Sequence, residues 1–516
     1  MRLNVLIGGK AGQGINKISQ ILANLLVKQG YFVFNYRDYP SLIRGGHNFN
    51  VLSISEEKVG SYENRLDVIV ALDNKTIEKH KEKLKKGGLL IEGKGLGNWG
   101  RDLNVVLAGR LVKFLGIKEG AWVEEVKKGL KSEKAIKAAK RGFGLGRKRY
   151  NLKPLKRKKK ILFMSGSEAI AQGAMNSKID LYLAYPMTPA TGVMHVLAGK
   201  QSEKRLRVFQ PENEIAVVNA ALGASFAGAR VMIGTSGGGF DLMSEGLSLQ
   251  GQNEAPLVVY LSSRPGPGTG IPTYTCQADL DIALRAGHGE FPRVVIAPGD
   301  PIEGIEKVNE AFYLAEKFGC LVVLLGDKHL AESGFSSERR PNKVLPLRVR
   351  RNLPGGRKVV KVSSYEHDKE GNTTEEAEWS RRNNKQRLKR YQQIKEESEK
   401  FEMIKIFGNP KAKNLVIGWG STKTVILDAL EAIDGSITKK GNYKFLQVLY
   451  LKPLSNKIRE EMKKAEKVIL VENNLTGQLG RLLREKTGLK IEKRILKADG
   501  RPFTSDELKR KILAIK

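Results

Sequence analysis

The chain has 516 residues, of which 41% are hydrophobic and 55 are glycine, which excludes a disordered protein and predicts about three folded α/β domains at roughly 150 residues each. Lys and Arg outnumber Asp and Glu by 90 to 55, for a formal charge of +35, which favours anionic partners such as nucleic acid, phosphorylated cofactors or an acidic protein. A lysine-rich surface without a specific partner explains this charge at least as well.

The first predicted domain covers residues 1–155 and alternates strands with helices, which indicates a parallel sheet. Its predicted strands are "LNVLIGG", "YFVFNY", "LDVIVALD" and "GLLIEG". The N-terminal apolar stretch is too short for a signal peptide, and no apolar run approaches the length of a membrane span. We therefore expect a soluble, cytoplasmic protein with no membrane partner. A basic linker, "KRGFGLGRKRYNLKPLKRKKK", closes the block.

A glycine-rich turn in "IGGKAGQGIN" places Gly9, Gly12 and Gly14 between a strand and a helix. Glycines at such a junction let backbone N–H groups approach a phosphate at the positive end of the helix. The order is GxxGxG and not the GxGxxG dinucleotide fingerprint, although Asp38 lies at about the distance of the ribose-binding acid. A tight turn without a ligand is the alternative.

The nearby stretch "SLIRGGHNFNV" sets Arg44 before two glycines. Arg44 could bind an anion, or the stretch could merely turn the chain. His47 is more often an ordinary buried histidine than a ligand.

The second predicted domain, residues 160–330, contains the buried-strand runs "VMIGTSGGGF", "APLVVYLSS", "RVVIAPGD" and "CLVVLLGD". Glu214 leads into a helix rich in small apolar residues, where burial of a charge is unfavourable without a partner. Glu214 either caps the N-terminus of this helix or contacts a ligand.

Arg264 follows a strand and opens the Pro- and Gly-rich loop "RPGPGTGIPTYTCQADL". The carboxyl ends of strands are where open α/β sheets bind ligands, and arginine suits a carboxylate. The glycine loop "RAGHGEFPRVV" adds His288 and Glu290 as further candidates.

Residues 331–401 form a polar, charged connector that is predicted to end in an exposed helix. The third predicted domain, residues 402–516, has the strand runs "KNLVIGWGS", "KFLQVLYLKPL" and "EKVILVENN", spaced by helices. This pattern predicts a smaller parallel α/β domain.

Several of these motifs together resemble a known family. "YPMTP", "PENEIAVVNAALGASFAGAR", "TSGGGFDLM", "SRPGPGTGIPT" and "GHGEFPRVVIAPGD" are similar to the 2-oxoacid:ferredoxin oxidoreductases, in the form of the alpha subunit with a gamma domain fused at its N-terminus. The resemblance extends from "GGKAGQG" to "VENNLTGQLGRLLR". It implies an α/β fold with mostly parallel sheets and three domains: gamma-like, thiamine pyrimidine-binding and transketolase C-terminal-like.

The resemblance also implies roles for the Tyr-Pro-x-Thr-Pro turn. Tyr185 and Thr188 would contact the substrate, and Pro186 and Pro189 would shape the cofactor loop. The two prolines restrict φ and remove donors, so Thr188 would offer its hydroxyl from a rigid turn. Met187 stands where the family commonly has a branched aliphatic residue.

Two further residues take their roles from the resemblance. Arg264 matches the arginine that holds the 2-oxoacid carboxylate, although Pro265 replaces the usual glycine after it. Glu214 matches the catalytic glutamate that hydrogen-bonds the aminopyrimidine ring of thiamine diphosphate, an acid–base role that needs a water-poor site. Coenzyme A or another phosphate would bind near the glycine turn and Arg44.

The chain lacks the other half of such an enzyme. Thiamine enzymes hold Mg²⁺ and diphosphate through a Gly-Asp-Gly motif, but the Gly-Asp pairs at 299–300 and 326–327 are followed by Pro301 and Lys328. Cys276 and Cys320 cannot ligate an iron–sulfur cluster alone. We therefore expect no metal site in this chain, and a beta subunit that carries Mg²⁺, diphosphate contacts and a 4Fe-4S cluster.

The predicted function is the oxidative decarboxylation of a 2-oxoacid, with 2-oxoglutarate favoured, to acyl-CoA and CO₂ with reduction of ferredoxin. Two alternatives are a nucleotide-binding protein that uses only the N-terminal glycine turn and a basic nucleic-acid-binding protein. The glycine order argues against the first. Dispersed basic residues without a nucleic-acid-binding motif argue against the second, so we expect no nucleic-acid partner.

Overall fold

The computed structural model of the protein describes residues 1–40, 46–203, 205–347, 352–357, 360, 363–435 and 441–515. The chain divides into two compact units. The N-terminal unit comprises Met1–Ser165, Ser333–Arg340 and Thr504–Arg510. The large unit comprises Gly166–Glu332, Pro341–Phe503 and Lys511–Lys516.

The strands in the described part of the chain are β1 (Arg2–Lys10), β2 (Phe32–Asp38), β3 (His47–Ser55), β4 (Leu66–Ala71), β5 (Leu84–Glu92), β6 (Leu162–Ser165), β7 (Leu181–Leu183), β8 (Arg207–Phe209), β9 (Val231–Thr235), β10 (Leu257–Ser263), β11 (Arg293–Ile296), β12 (Leu321–Asp327), β13 (Gly334–Ser337), β14 (Ile404–Gly408), β15 (Asn414–Trp419), β16 (Tyr443–Val448), β17 (Tyr450–Lys452), β18 (Lys467–Glu472) and β19 (Lys493–Leu496).

The α-helices in the same residues are α1 (Ile15–Lys28), α2 (Asn74–His80), α3 (Leu103–Leu115), α4 (Glu119–Leu130), α5 (Glu133–Leu145), α6 (Gly166–Asn176), α7 (Thr191–Ala198), α8 (Glu214–Phe226), α9 (Gly237–Leu242), α10 (Ser244–Asn253), α11 (Leu280–Arg285), α12 (Pro301–Phe318), α13 (Lys328–Glu332), α14 (Ala377–Ser398), α15 (Thr422–Asp434), α16 (Lys457–Lys464), α17 (Gln478–Thr487) and α18 (Ser505–Leu513). No helix among these is both long and apolar enough to cross a membrane.

The sheet of the N-terminal unit has the order β5-β4-β1-β3-β2-β13-β6. β4 runs parallel to β1 and β5, but β3 runs antiparallel to both β1 and β2. The parallel sheet predicted for this block is therefore found only in β5, β4 and β1, and β3 was not predicted. The connection from β2 to β3 is too short for a parallel crossover, which needs about a dozen residues or more.

Two strands outside residues 1–155 complete this sheet. β13 pairs antiparallel with β2 and with β6. β6 follows the basic linker and β13 lies at the start of the charged connector, so both segments belong to the sheet of the first block. The domain limits 1–155, 160–330, 331–401 and 402–516 stay a prediction.

The central sheet of the large unit has the order β17-β11-β12-β10-β9-β7-β8 and is parallel except at β17. Every residue of β9, β10 and β12 is buried, as expected of parallel strands covered on both faces. Along β10, Leu257, Val259 and Leu261 join one hydrophobic cluster, while Val258 and Tyr260 join another. The alternation shows that the sheet divides two cores.

Helix α12, beside this sheet, has a capping residue at each end. In α12, the Asp300 side chain accepts a hydrogen bond from the Glu303 backbone N–H at 2.9 Å, and Pro301 occupies the first turn. Gly319, with φ of 57°, ends the helix in the left-handed conformation that glycine tolerates.

The third sheet has the order β14-β16-β15-β18-β19 and is parallel except at β14. β15 and β18 lie within two of the predicted strand runs of this segment, and β16 begins one residue before the third. The charged connector ends in α14, most of which is exposed. The α/β class and the mostly parallel character of the large unit confirm the predicted fold class.

Candidate active site

The candidate site lies at the carboxyl edge of the central sheet. β7, β8, β9 and β10 are mutually parallel, so their C-terminal ends lie at one edge. The loops with Tyr185, Ser236 and Arg264 leave the sheet at this edge. This is the edge at which open α/β sheets bind ligands, and it assembles residues that are far apart in the sequence.

Arg264 contacts the Pro-flanked turn directly. Its Nη1 donates a hydrogen bond of 2.9 Å to the backbone carbonyl oxygen of Thr188. Desolvation lowers the pKa of the Arg264 guanidinium, while the nearby charges of Asp279 and Glu214 raise it. The guanidinium is therefore half-buried between a rigid turn and two acids.

Glu214 is buried with 3% of its surface exposed and is the first residue of α8. The residue that caps this helix is Asn213, whose side chain accepts a hydrogen bond of 2.9 Å from the Ala216 backbone N–H. The alternative that Glu214 serves as the cap is therefore wrong. Within the described residues, the buried Oε1 of Glu214 has no hydrogen-bond partner.

Two glycines of "TSGGGF", Gly237 and Gly239, lie in close contact with the carboxylates of Asp279 and Glu214. A Cβ at Gly239 would lie 2.5 Å from Glu214 Oε1 and closer still to Thr235 Oγ1. A Cβ at Gly237 would lie 2.8 Å and 2.9 Å from the two carboxylate oxygens of Asp279. Only glycine fits at these two positions without displacing an acid.

Asp279 is the site residue that the sequence analysis missed. The pKa of its carboxyl group is raised from 3.8 to about 6, chiefly by burial and in part by the charge of Asp241, while Ser263 and Arg264 oppose the shift. The only signal in the sequence was an acid just before an apolar helix in "TCQADL". A strongly perturbed acid beside an arginine is a candidate functional residue.

The other predicted residues of the large unit range from buried to exposed. Tyr185 is 39% exposed, Pro186 is exposed, and Pro189 is buried. His288 and Glu290 are exposed and lie in the loop before β11, where Ser248 Oγ donates a hydrogen bond of 2.7 Å to the His288 carbonyl oxygen. The predicted ligand roles of these residues stay predictions.

The glycine turn of the N-terminal unit lies between β1 and α1. Gly14 has φ of 69° and precedes α1, and a Cβ there would lie 2.5 Å from Asn104 Nδ2. A Cβ at Gly9 would lie 2.9 Å from Leu72 Cβ. Gly12 has φ of 91° and open space around it. Packing thus accounts for Gly9 and Gly14, and only Gly12 has room for a ligand.

The neighbouring candidates are committed to internal contacts. Asp38 accepts a hydrogen bond of 2.8 Å from the Tyr36 hydroxyl. His47 Nε2 and His80 Nε2 lie 2.9 Å apart in a buried pair. Arg44 lies outside the described residues.

Comparison with known proteins decides the family. Residues 172–403 match the family model described as pyruvate flavodoxin/ferredoxin oxidoreductase, thiamine diphosphate-binding, and residues 4–95 match that of pyruvate ferredoxin/flavodoxin oxidoreductase. All of this chain aligns with 97% of the 2-oxoacid:ferredoxin oxidoreductase subunit alpha from a Sulfolobus species, at 28% identity. The chain belongs to the 2-oxoacid:ferredoxin oxidoreductase family.

Further members of the 2-oxoacid:ferredoxin oxidoreductase family agree with this assignment. A 2-oxoglutarate oxidoreductase subunit KorA from Mycobacterium tuberculosis is 32% identical over 68% of this chain and 57% of its own. The 2-oxoglutarate:ferredoxin oxidoreductase from Magnetococcus marinus, solved with 2-oxoglutarate, coenzyme A and succinyl-CoA bound, superposes with a TM-score of 0.88. The alignment covers 99% of this chain and 99% of that one at 24% identity, and it supports the α/β fold described above.

The matched ranges include both candidate regions of this family member. Glu214, Arg264 and Asp279 lie within residues 172–403, and the glycine turn lies within residues 4–95. The resemblance found from separate motifs is thereby confirmed.

Proposed function

We propose that this chain is the alpha subunit of an enzyme that converts a 2-oxoacid and coenzyme A to acyl-CoA and CO₂ and reduces ferredoxin. The observation that carries the proposal is the buried Glu214 carboxylate, whose Oε1 lacks a partner among the described residues and lies close to Gly239. It lies in the segment that matches a thiamine diphosphate-binding family model.

The residues around Glu214 fit the pyrimidine half of thiamine diphosphate. A buried, unpaired carboxylate oxygen is unfavourable in the fold, and a hydrogen bond from a bound aminopyrimidine would satisfy it. When bound, thiamine diphosphate supplies the nucleophilic carbon for attack on the 2-oxo carbon. Glu214 would hold the pyrimidine ring and stabilise the tautomer that accepts a proton, in surroundings that exclude water.

Arg264 would bind the substrate carboxylate. A guanidinium carries five N–H donors, and the hydrogen bond to Thr188 occupies one of them. The remaining donors can hold a carboxylate in a paired, charge-assisted geometry. Asp279 would act as a positioning residue, because its charge opposes that of Arg264 at close range.

A partner subunit would cover this edge of the sheet. Three large apolar side chains on β8, α8 and α9 are exposed: Phe209 by 57%, Ile215 by 51% and Leu242 by 52%. Exposed apolar side chains grouped at a functional edge are typical of an interaction surface. The partner would be the beta subunit, which would supply the diphosphate and Mg²⁺ contacts and the 4Fe-4S cluster.

The Gly-Asp pairs of this chain support that division of labour. Asp300 caps α12 and pairs with Lys423. Asp327 accepts a hydrogen bond of 2.9 Å from the Leu330 backbone N–H. Both thiols are buried, and burial raises the pKa of each to about 12, which disfavours the thiolate that ligates iron.

Coenzyme A is assigned to the N-terminal unit, at the glycine turn. Gly12 is the test position, because its surroundings are open. Gly12→Ala should raise the KM for coenzyme A at least fivefold and leave the KM for the oxoacid within twofold. The matched control is Gly95→Ala, since Gly95 has φ of 76° and is equally open. Equal effects of both variants would mean that backbone strain alone is responsible.

The experiment that tests the proposed function compares the purified chain with the chain co-expressed with a beta-type subunit. Only the complex should reduce ferredoxin or a viologen when supplied with thiamine diphosphate, Mg²⁺, coenzyme A and an oxoacid. A panel of 2-oxoglutarate, pyruvate and branched oxoacids identifies the substrate, and we expect 2-oxoglutarate to give the highest kcat/KM. Turnover by the isolated chain, or none by the complex, would contradict the proposal.

A further inference from the structure

A cavity of about 760 Å³ lies in the large unit and shares no residue with the site described above. Its wall is formed by the end of α11, by α14, by β17 with the turn after it, and by α16 and α17. Cavities of roughly 300–1,000 Å³ are the usual size of small-molecule sites. The volume therefore suits a metabolite and not only water.

The wall of this cavity is strongly cationic. Its basic side chains are Arg285, Lys395, Lys452, Arg459, Lys463 and Lys486.

Two carboxylates, Glu460 and Glu485, oppose these cations. Glu485 is already paired, at 2.9 Å from Lys486 and 2.9 Å from Arg285. Among the described residues, the other four cations form no ion pair within 4.0 Å. The cavity therefore holds uncompensated positive charge.

Lys452 shows the effect of this charge most clearly. Its ammonium group lies 3.5 Å from the Leu284 carbonyl oxygen. Burial and repulsion from Arg293, Lys486 and Arg285 together lower the pKa of Lys452 to about 8, against a smaller opposing effect of Glu485. A negatively charged ligand in the cavity would stabilise the protonated ammonium group of Lys452, which burial and the neighbouring cations disfavour.

The remaining wall is apolar and aromatic. Leu451, Pro453, Leu454 and Leu482 line the cavity together with Tyr391, which is partly buried. A flat aromatic face beside a cationic wall suits a ligand that joins a planar ring to an anionic group. Arginine in addition matches the geometry of phosphate oxygens.

We propose that this cavity is a binding site for a nucleoside di- or triphosphate. Several unpaired cations around one volume match a polyphosphate better than a single carboxylate. Tyr391 and the leucines would contact the base and ribose, and the lysines would contact the phosphates. The site is separate from the thiamine and oxoacid residues, so its ligand would act as an effector and not as a reactant.

The test uses the full chain together with its co-expressed partner subunit, at about 0.15 M salt because weaker screening exaggerates surface attraction. Calorimetric titration with ATP should give saturable binding that excess coenzyme A does not displace. Inorganic tripolyphosphate serves as a second probe and should bind at least fivefold more weakly than ATP. Displacement by coenzyme A, or no saturation with ATP, would overturn the proposal.

Variants locate the binding. Lys452→Met keeps the aliphatic stem and removes a buried charge, so it should fold normally and weaken ATP binding at least tenfold. Lys463→Ala should weaken it several-fold. The matched control is Lys457→Ala, since Lys457 is exposed on the same helix, α16, and does not line the cavity. Unchanged affinity in the Lys452 variant, or an equal loss in the control, would place the nucleotide elsewhere and refute the assignment.

Discussion

Arg264 and Thr188 are joined by a hydrogen bond of 2.9 Å from Nη1 of the arginine to the backbone carbonyl oxygen of the threonine, across 76 residues of sequence. The contact ties the loop after β10 to the turn after β7. The arginine that we propose as the substrate ligand is therefore also hydrogen-bonded to the turn, and its removal should affect both.

Arg264→Ala should lower kcat/KM for the oxoacid by roughly thirty-fold to several thousand-fold. Removal of one partner of a buried charged pair typically costs about 2–5 kcal/mol, and about 1.4 kcal/mol corresponds to tenfold in rate. Arg264→Lys should recover only part of the loss, because it keeps the charge but not the planar fork. Steady-state kinetics with varied oxoacid and varied coenzyme A provide the measurement. A loss within threefold would show that Arg264 only stabilises the loop.

Gly239→Ala should displace the Glu214 carboxylate, because the new Cβ would lie 2.5 Å from its Oε1. We expect at least a hundredfold loss of turnover in the reconstituted complex, with a smaller loss of thiamine diphosphate affinity. Gly238→Ala is the matched control, since a Cβ at that neighbouring position meets nothing within 4 Å. If the two variants are equally active, the close approach at Gly239 has no catalytic importance.

Glu214→Gln should leave the fold intact and nearly abolish turnover, because an amide cannot exchange a proton with the pyrimidine. Asn213→Ala separates the structural role from the chemical one. It removes the side chain that caps α8 and should cost about 1 kcal/mol of stability with much of the activity retained. Thermal melts and turnover of both variants decide the matter, and normal turnover of the glutamine variant would remove Glu214 from the mechanism.

Asp279→Asn should stabilise the chain in a pH-dependent way. The folded pKa of about 6 lies above the ordinary 3.8, so the folded state holds the proton more tightly than the unfolded state does. The stability that this group contributes is present below pH 3.8 and is lost as the pH rises through 6. At pH 7.5 the asparagine variant should therefore gain up to about 3 kcal/mol, and the gain should vanish near pH 4.

The measurement for Asp279 is the difference in melting temperature between variant and parent at pH 4 and pH 7.5. Glu290→Gln provides the control, because Glu290 is exposed and its replacement should change neither value. A difference that is the same at both pH values would mean that packing, and not ionisation, determines the effect.

The amino-acid sequence alone was enough to predict most of the buried strands, though not β3, and to select loops as candidates for the site. A continuous apolar run such as that of β10 indicates a strand that is buried on both faces of a sheet. Clusters of Pro and Gly indicate irregular loops. Glu214, Arg264 and the Pro-flanked turn were found in this way, because an acid or arginine in an apolar or glycine-rich context is a local signal.

Which of these residues lie in contact follows from the packing of strands and helices and could not be predicted from the sequence. Asp279 belongs to the site because α11 begins beside Gly237, and Thr188 offers Arg264 its carbonyl oxygen and not its hydroxyl. β3 runs antiparallel because of a short connection, and the cationic cavity draws on α11, α14, α16 and α17. Such contacts depend on strand order and helix packing, which join residues that are hundreds of positions apart and leave no local pattern.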